Sequence, residues 1–354
     1  MKDLFIKNSD TVKQVLKKLD QTAEKILFVV NENKMLIGTV SDGDIRRGLL
    51  SGINIESSID GIYNKSPLFL YKDEYTQDKV KNIFLEKKIE VLPLLNSKDM
   101  VVDYIRWDDV FDGEKNIISK HRSIDLPVVI MAGGKGTRLE PFTNIFPKAL
   151  MPVGDKTLIE VIIDEFRKFD VKKFILTVNY KAPIIESYFN TIDKDYEIKF
   201  IKEESYLGTA GSLLLVKNDL KGTFIVSNCD IILKADYADA LEFHMKQKSS
   251  LTILSSIQHH KIPYGVVKFS DGGRVTEINE RPEFTFIINA GVYLLNSDVI
   301  DNIPSNTKYD MPDLINKIIE KGDNVFTYPV NENDYIDFGQ WEEYEKIKNK
   351  MGGL

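Results

Sequence analysis

Apolar positions along the first third of the chain follow two rhythms. Over residues 11–19 and 76–87 they recur at helical spacing, and over 26–30, 36–40, 90–95 and 101–105 they form short runs of strand length. A shift of 65 positions lays Thr11 on Thr76, Val15 on Val80, Leu27 on Leu92, Asn31 on Asn96, Leu36 on Val101 and Asp44 on Asp109, without a gap. Each copy therefore predicts a helix, a strand, a turn, a second strand and the start of another helix. One such unit cannot bury its apolar face alone, so the copies, about residues 1–60 and 61–118, are expected to pack together as an α+β pair filling residues 1–120. Residues 112–125 are polar and without period, which marks a linker.

Beyond it the rhythm changes to α/β alternation. Strands are predicted over 128–131, 174–178, 198–201 and 223–227. Helices are predicted over 157–169, 183–189, 208–216, 236–248 and 340–350. That order implies a Rossmann-like domain, residues 121–354, with a mixed, mostly parallel sheet covered on both faces. Ligands of such sheets sit at the carboxyl ends of the strands.

Composition narrows the class. A chain of 354 residues exceeds one ordinary core, which agrees with two domains. No apolar run is long enough to span a bilayer, the N-terminus lacks the apolar segment of a secretory signal, and Cys229 is the only cysteine, so a cytoplasmic protein with no internal disulfide is expected. The net charge of −7 argues against broad nucleic-acid binding and requires any cations that meet an anionic ligand to be concentrated locally.

They are concentrated over residues 126–154. The buried-type run Val128-Val129-Ile130-Met131 empties into Ala132-Gly133-Gly134-Lys135-Gly136-Thr137-Arg138, and Lys148 follows between Pro147 and Ala149. A strand that ends in a glycine turn with two fixed cations suits a polyphosphate: backbone amides hold the phosphates, and Arg138 and Lys148 balance their charge. The P-loop pattern is absent, and a dinucleotide fingerprint fails at Leu139, where its third glycine would stand.

The run through Leu139, Pro141, Thr143, Pro147-Lys148 and Pro152-Val153 resembles the signature of the sugar-phosphate nucleotidyltransferases. This resemblance implies catalytic roles for Arg138 and Lys148 and nucleotide contacts at Ala132, Gly133, Gly134, Gly136 and Thr137. It implies further nucleotide contacts at Gly208 and Thr209 in Leu207-Gly208-Thr209-Ala210-Gly211; Asn179, with Tyr180 beside it, ends the strand 174–178 and is placed by that position to face the base as well. Asp230, just past the strand 223–227, and Asp337 in Tyr335-Ile336-Asp337-Phe338-Gly339 match the family's Mg²⁺ ligands. Tyr264, Gly265, Glu280, Arg281 and Asn289 are similar to segments that line its sugar-1-phosphate pocket. Taken alone, Asp230 also reads as a helix N-cap, Asp337 as a turn, and the sugar-side residues as surface salt bridges or turns. The four histidines form no metal-binding pattern and read as surface or packing residues.

Gly38-Thr39-Val40-Ser41-Asp42-Gly43-Asp44 resembles a CBS domain. Ser41 and Asp44 fall on that family's ribose-binding positions, which implies an adenine nucleotide as ligand; in the second copy Arg106 replaces the hydroxyl residue. The same Ser-x-x-Asp is an ordinary helix cap, so a pair that only mediates dimerisation stands beside the ligand reading. A CBS pair ahead of this transferase signature resembles the CBS-linked glucosamine-1-phosphate guanylyltransferases, which make GDP-glucosamine for legionaminic acid. That implies GTP and an amino-sugar phosphate as substrates and a homo-oligomer as the frame. The motifs themselves leave UTP, CTP and dTTP open, as well as a non-catalytic nucleotide sensor on the same fold.

Overall fold

The computed structural model describes residues 3–22, 24–87, 89, 91–106, 110 and 122–339. Asp109, most of the linker and the helix expected over 340–350 lie outside these residues. The chain divides into two compact units: Met1–Lys120 with Gln258–Phe286 and Asn331–Asn333, and His121–Ile257 with Ile287–Val330 and Asp334–Leu354.

In the first unit, β1 (Phe5–Ile6), α1 (Val12–Thr22), β2 (Ile26–Val30), β3 (Leu36–Ser41) and α2 (Asp42–Leu50) form one copy of the repeat. The second copy is β4 (Leu70–Tyr71), α3 (Gln77–Lys87), β5 (Val91–Leu95) and β6 (Val101–Arg106). Their sheets have the same plan, β1-β2-β3 and β4-β5-β6, with the first pair parallel and the second antiparallel. The correspondence reaches individual hydrogen bonds. Asn31 Oδ1 accepts from the amides of Asn33 and Met35, and Asn96 Oδ1 from those of Lys98 and Met100. Lys34 and Asp99 both take left-handed φ, at 61° and 56°. Each asparagine closes the turn that a hairpin of this length requires. An isolated bridge between Met35 and Met100 joins the copies.

The second unit is built on a seven-stranded sheet. Its strands are β7 (Val128–Ala132), β10 (Lys173–Val178), β11 (Glu197–Lys202), β12 (Thr223–Asn228), β14 (Leu251–Lys261), β17 (Glu283–Asn296) and β18 (Val325–Val330), in the order β11-β10-β7-β12-β17-β14-β18. The first four are mutually parallel, β17 runs antiparallel to β12, and β14 and β18 are parallel. All five residues of β7 are buried, as a strand covered on both faces requires. Short pairs flank the sheet: β8 (Pro152–Val153) with β9 (Lys156–Thr157), and β13 (Ile231–Leu233) with β19 (Tyr335–Asp337). The β15 (Val266–Phe269) and β16 (Val275–Asn279) ribbon lies in the segment that clusters with the first unit.

Helices α4 (Leu158–Arg167), α5 (Ala182–Thr191), α8 (Tyr237–Lys246) and α9 (Met311–Glu320) belong to the second unit. In α4, Thr157 and Glu160 form a reciprocal capping box, which explains why the helix starts there. The single helix expected over 208–216 is instead two short pieces, α6 (Gly208–Gly211) and α7 (Leu213–Val216). The amides of Ala210 and Gly211, in the first turn, both bond the carbonyl of Tyr309, which caps the first piece from a distant segment. One core joins Val129, Phe224, Val226, Leu295, Leu314 and Ile318 across the sheet and α9. Among the described residues no helix is long and apolar enough to cross a membrane.

His244, at the end of α8, is buried with Nδ1 2.8 Å from Thr252 Oγ1 and Nε2 3.2 Å from Asn296 Oδ1. It is thus a packing residue, and burial lowers its pKa below the ordinary 6.5. A histidine whose folded-state pKa is depressed favours the fold while neutral. Its contribution is complete above the unfolded value and fades as pH falls below about 6.5. The urea midpoint should therefore drop between about pH 6.5 and 5, and in His244→Gln that acid-side drop should be smaller; equal slopes for both proteins would contradict this assignment.

Candidate functional site

The order of the sheet decides where a site can form. From β7 the chain moves outward through β10 to β11 and then returns to β12 on the other side of β7. A crevice opens at the carboxyl ends where the direction reverses, and the loops leaving β7 and β12 flank it. A cavity of about 570 Å³ occupies this position.

Leaving β7, the chain turns at Gly133, where a Cβ would come within 2.6 Å of Glu203 Oε1, so no side chain fits without displacing that carboxylate. Gly136 has φ +67°, and a Cβ there would stand 3.0 Å from both Thr143 Cγ2 and Lys148 Cβ. The Thr143 hydroxyl donates to the Gly136 carbonyl at 2.9 Å and holds the bend. Gly133, Gly134, Gly136, Thr137, Arg138 and Lys148 all line the cavity. Ala132 ends β7 as a buried strand residue and is not part of the lining.

The other expected nucleotide contacts come from two further strand ends. Asn179 follows β10 and lines the cavity while its Nδ2 donates to the Glu203 carbonyl at 2.7 Å. Gly208 and Thr209 also line it. Gly208 has φ +83°, with Asp310 Oδ1 and Tyr309 O each 2.6 Å from where a Cβ would lie. Thr209 exchanges hydrogen bonds with α9, its amide donating to Asp310 Oδ1 at 3.0 Å and its hydroxyl accepting from the Met311 amide at 2.8 Å. The loop is thereby pinned to a helix start.

Asp230 follows β12 by two residues and faces the cavity. Its Oδ2 lies 2.5 Å from Lys148 Nζ, and the two side chains are 21% and 9% exposed. Asp337 reaches the same place through the backbone: β19 pairs with β13 in the register Ile231↔Asp337, and the Phe338 amide donates to the Asp230 carbonyl at 2.8 Å. A Cβ on Gly339 would stand 2.6 Å from Asp337 Oδ1 and 3.4 Å from Asp230 Oδ2, so both carboxylates converge on one backbone point. Burial raises the pKa of Asp337, and the Asp230 charge adds to this; the Gly339 amide, Lys148 and Arg138 oppose it. A half-buried carboxylate pushed upward beside a second one is the environment that a divalent cation relieves. No cluster of three or more His, Cys, Asp or Glu suited to a metal occurs among the described residues. Two carboxylates without a third fit Mg²⁺, which fills its octahedron with phosphate oxygens and water.

Four other lining residues carry no signature motif: Glu203, Tyr206, Ser212 and Asn228. Glu203 is buried, accepts from the Leu207 amide at 3.2 Å, and has its pKa raised by that burial. It is the first residue past β11, as Gly133 is past β7 and Asn179 past β10, but only the sheet order shows that these three ends meet. Cys229 sits between Asn228 and Asp230, and burial holds its thiol up at about 12, so it stays protonated and unreactive.

The sugar-side residues divide between the units. Asn289 lies in the second, where its Nδ2 donates to Tyr293 OH at 2.8 Å and its Oδ1 accepts from the Gly291 amide at 2.9 Å. Tyr264, Gly265, Glu280 and Arg281 lie in the segment that clusters with the first unit. There, Glu280 and Arg281 are exposed and 3.5 Å apart, and a Cβ on Gly265 would meet Glu280 Oε2 at 2.8 Å.

Ser41 and Asp44 form a complete capping box at the start of α2. Ser41 Oγ donates to Asp44 Oδ2 at 2.7 Å, the Asp44 amide returns to Ser41 Oγ at 3.2 Å, and Arg47 bonds Asp44 Oδ1 at 2.6 Å. The helix-cap role set beside the ligand role is thus present in the structure. A cavity of about 480 Å³ in the first unit, lined by Met35, Ile37, Lys65, Phe69 and Asp99 among others, lies elsewhere. It sits at the turn end of the β2–β3 ladder, where Val30 pairs Leu36, whereas Ser41 pairs Ile26 at the far end.

Comparison with known proteins agrees with this geometry. The nucleotidyl transferase family profile matches residues 127–352, and the CBS domain profile matches residues 1–51. The UTP–glucose-1-phosphate uridylyltransferase of Synechocystis sp. is 28% identical in an alignment that covers 62% of this chain and 61% of that protein. The bifunctional protein GlmU of Methanococcus aeolicus is 31% identical over 62% of this chain and 52% of its own length. Mannose-1-phosphate guanylyltransferase 1 of Arabidopsis thaliana is 33% identical over 50% of this chain and 52% of its own. The chain thus spans about half to three-fifths of the length of these curated relatives. Among solved structures, HddC from Yersinia pseudotuberculosis superposes with a TM-score of 0.51 at 27% identity, covering 64% of this chain and 99% of that one. A putative glucose-1-phosphate thymidylyltransferase from Bacillus anthracis, at 19% identity and a TM-score of 0.50, shares the fold, covering 65% of this chain and 96% of that one. With a profile match over most of its length and the signature residues gathered at one crevice, the chain belongs to the nucleotidyl transferase family and carries a CBS domain at its N-terminus.

Proposed function

We propose that the protein transfers a nucleotidyl group from an NTP to a sugar 1-phosphate, releasing pyrophosphate. The observation that carries this is the meeting of the glycine corner, Arg138, Lys148, Asp230 and Asp337 around one crevice from chain positions far apart. A phosphate oxygen of the sugar attacks the α-phosphorus in line; the new P–O bond forms as the bond to the β-phosphate oxygen breaks, and the electron pair leaves on pyrophosphate. No side-chain nucleophile is needed, so the residues act by alignment and by charge placed where it develops. The amides of the Gly133–Gly136 bend receive the β- and γ-phosphates, Arg138 stabilises the departing pyrophosphate, and Lys148 moves from Asp230 to the phosphate that reacts. Asp230 and Asp337 would hold Mg²⁺, which when bound neutralises phosphate charge and fixes its orientation.

The finer reading is GTP with glucosamine 1-phosphate, giving GDP-glucosamine for legionaminic acid synthesis, in a cytoplasmic homo-oligomer. The CBS domain ahead of the transferase supports it, as do guanylyltransferases among the relatives, which also include a uridylyltransferase. Glu203 supports guanine on chemical grounds. A carboxylate in the pocket wall accepts from the adjacent N1–H and N2–H₂ of guanine, whereas uracil and thymine flank their one N–H with two carbonyls. Tyr264, Gly265, Glu280, Arg281 and Asn289 are the proposed sugar-phosphate contacts. The CBS domain is proposed to bind adenine nucleotide or to support dimerisation.

Three outcomes follow. Asp230→Ala and Lys148→Ala should each abolish pyrophosphate release in a coupled assay while retaining cooperative thermal unfolding; full activity in either would defeat the assignment. Glu203→Gln should lower the ratio of kcat/KM for GTP over UTP by about tenfold or more, read by mass spectrometry of products from equimolar NTPs and a panel of hexose 1-phosphates. AMP or ATP should change the rate or the Tm; constancy of both would leave the CBS domain without a nucleotide role.

A further inference from the structure

The loop that joins Arg138 to Lys148 has little burial of its own. Leu139 and Pro147 are buried at its two ends, but between them Phe142, Ile145 and Phe146 are 47%, 66% and 54% exposed. The middle of the loop is held by polar contacts as well. Thr143 is buried and bonds the Gly136 carbonyl, as described above. The carbonyls of Thr143 and Asn144 are in turn gripped from the start of α5. Lys181 Nζ lies 3.4 Å from Thr143 O and 2.6 Å from Asn144 O, and Tyr180 OH lies 3.3 Å from Thr143 O. The ammonium also rests 5.0 Å from the centre of the Tyr180 ring.

Lys181 is the unusual member of this set. Its φ of +57° is left-handed, a region where glycine or asparagine is the ordinary occupant. Lys34 and Lys248 share that conformation, so what sets Lys181 apart is its side chain, which reaches back across two carbonyls of the loop that carries Arg138 and Lys148. Lys181 does not line the cavity, so any effect on a bound nucleotide passes through the loop.

We propose that Lys181 is a positioning residue for the nucleotide. With Tyr180 it clamps the Thr143–Asn144 carbonyls and, through Thr143, fixes the bend at Gly136 and the spacing of Arg138 and Lys148 along the phosphates. This rests on the nucleotidyl-transfer reading of the crevice and adds a residue that reading does not contain.

The test compares Lys181→Gly, which removes the ammonium and relaxes the backbone, with Lys181→Arg, which keeps a cation of similar reach. Binding is measured with methylanthraniloyl-GTP and methylanthraniloyl-UTP, and turnover with the matching NTPs. In Lys181→Gly the dissociation constant for the better-bound analogue and the KM for its NTP should rise about five- to twentyfold, with kcat within about threefold and Tm unchanged or higher. Lys181→Arg should restore both constants to near the wild-type values. Wild-type binding in Lys181→Gly, or an equal loss in Lys181→Arg and Lys181→Gly, would overturn the clamp while leaving the transfer reading intact. A wild-type protein that binds neither analogue would overturn the nucleotide reading of the crevice and the clamp with it.

Discussion

The Lys148–Asp230 ion pair is the contact on which the second unit's crevice depends. Both side chains are largely removed from water, and their charged atoms lie 2.5 Å apart. Taking two charges out of solvent costs several kcal/mol each, and only a close partner offsets it. Removing one member of such a pair typically costs about 3–5 kcal/mol because the other is left buried and unpaired. The two residues stand 82 positions apart in the chain. Their contact therefore joins the loop that leaves β7 to the end of β12, the two edges of the opening where the sheet reverses direction. Asp337 is brought to the same point by the β13–β19 pair and feels both charges.

Around that pair the backbone is shaped by the absence of side chains at a few positions. Gly136 and Gly208 occupy left-handed conformations with neighbours already at contact distance, and Gly133 faces a carboxylate at a distance no Cβ tolerates. These positions do different jobs. Gly136 makes a bend that presents amides, Gly208 lets its loop lie against the Tyr309–Asp310 segment, and Gly133 lets β7's exit approach Glu203. Hydrogen bonds from elsewhere brace the surrounding loops: Thr143 to Gly136, Thr209 to α9, and Asn179 to Glu203, which packs against Gly133. A corner held this way is organised before a ligand arrives, which is what electrostatic catalysis requires.

Much of this was legible because it is local. The repeat showed in the spacing of apolar residues, and the structure carries it down to the paired turns at Asn31 and Asn96. Four strands of the α/β sheet follow from apolar runs, and the phosphate corner from glycines beside fixed cations, whereas β14, β17 and β18 were not read from the sequence. What was not legible depends on where distant segments meet. Glu203 belongs to no motif and matters only because β11 ends beside β10. The expected helix over 208–216 is two pieces, and the first is capped by the Tyr309 carbonyl, about a hundred positions away in the chain. Residues 258–286 cluster with the first unit, though the strand–helix rhythm gave no reason to divide the later region. Ser41 and Asp44 illustrate a different limit: the residue pair that would hold a ribose is also the pair that caps a helix, and sequence alone cannot separate the two.

The charge balance of the crevice connects its resting form to the proposed reaction. Lys135, Arg138 and Lys148 face Glu203 and Asp230 on its lining, and Asp337 converges on the same point. Cations and carboxylates are thus nearly matched before any ligand enters, although the chain as a whole carries −7. A triphosphate arriving alone would compete with Asp230 for Lys148 and leave two neighbouring carboxylates uncompensated. A divalent cation arriving alone would release Lys148 from Asp230 and strand a buried ammonium. Under the proposed reaction Lys148 would serve the phosphate while Asp230 and Asp337 would hold the cation, so neither side chain would be left buried without a partner. Under that reading the resting ion pair would favour the nucleotide and its cation together over either alone, and the contact that braces the crevice would also bear on how it fills.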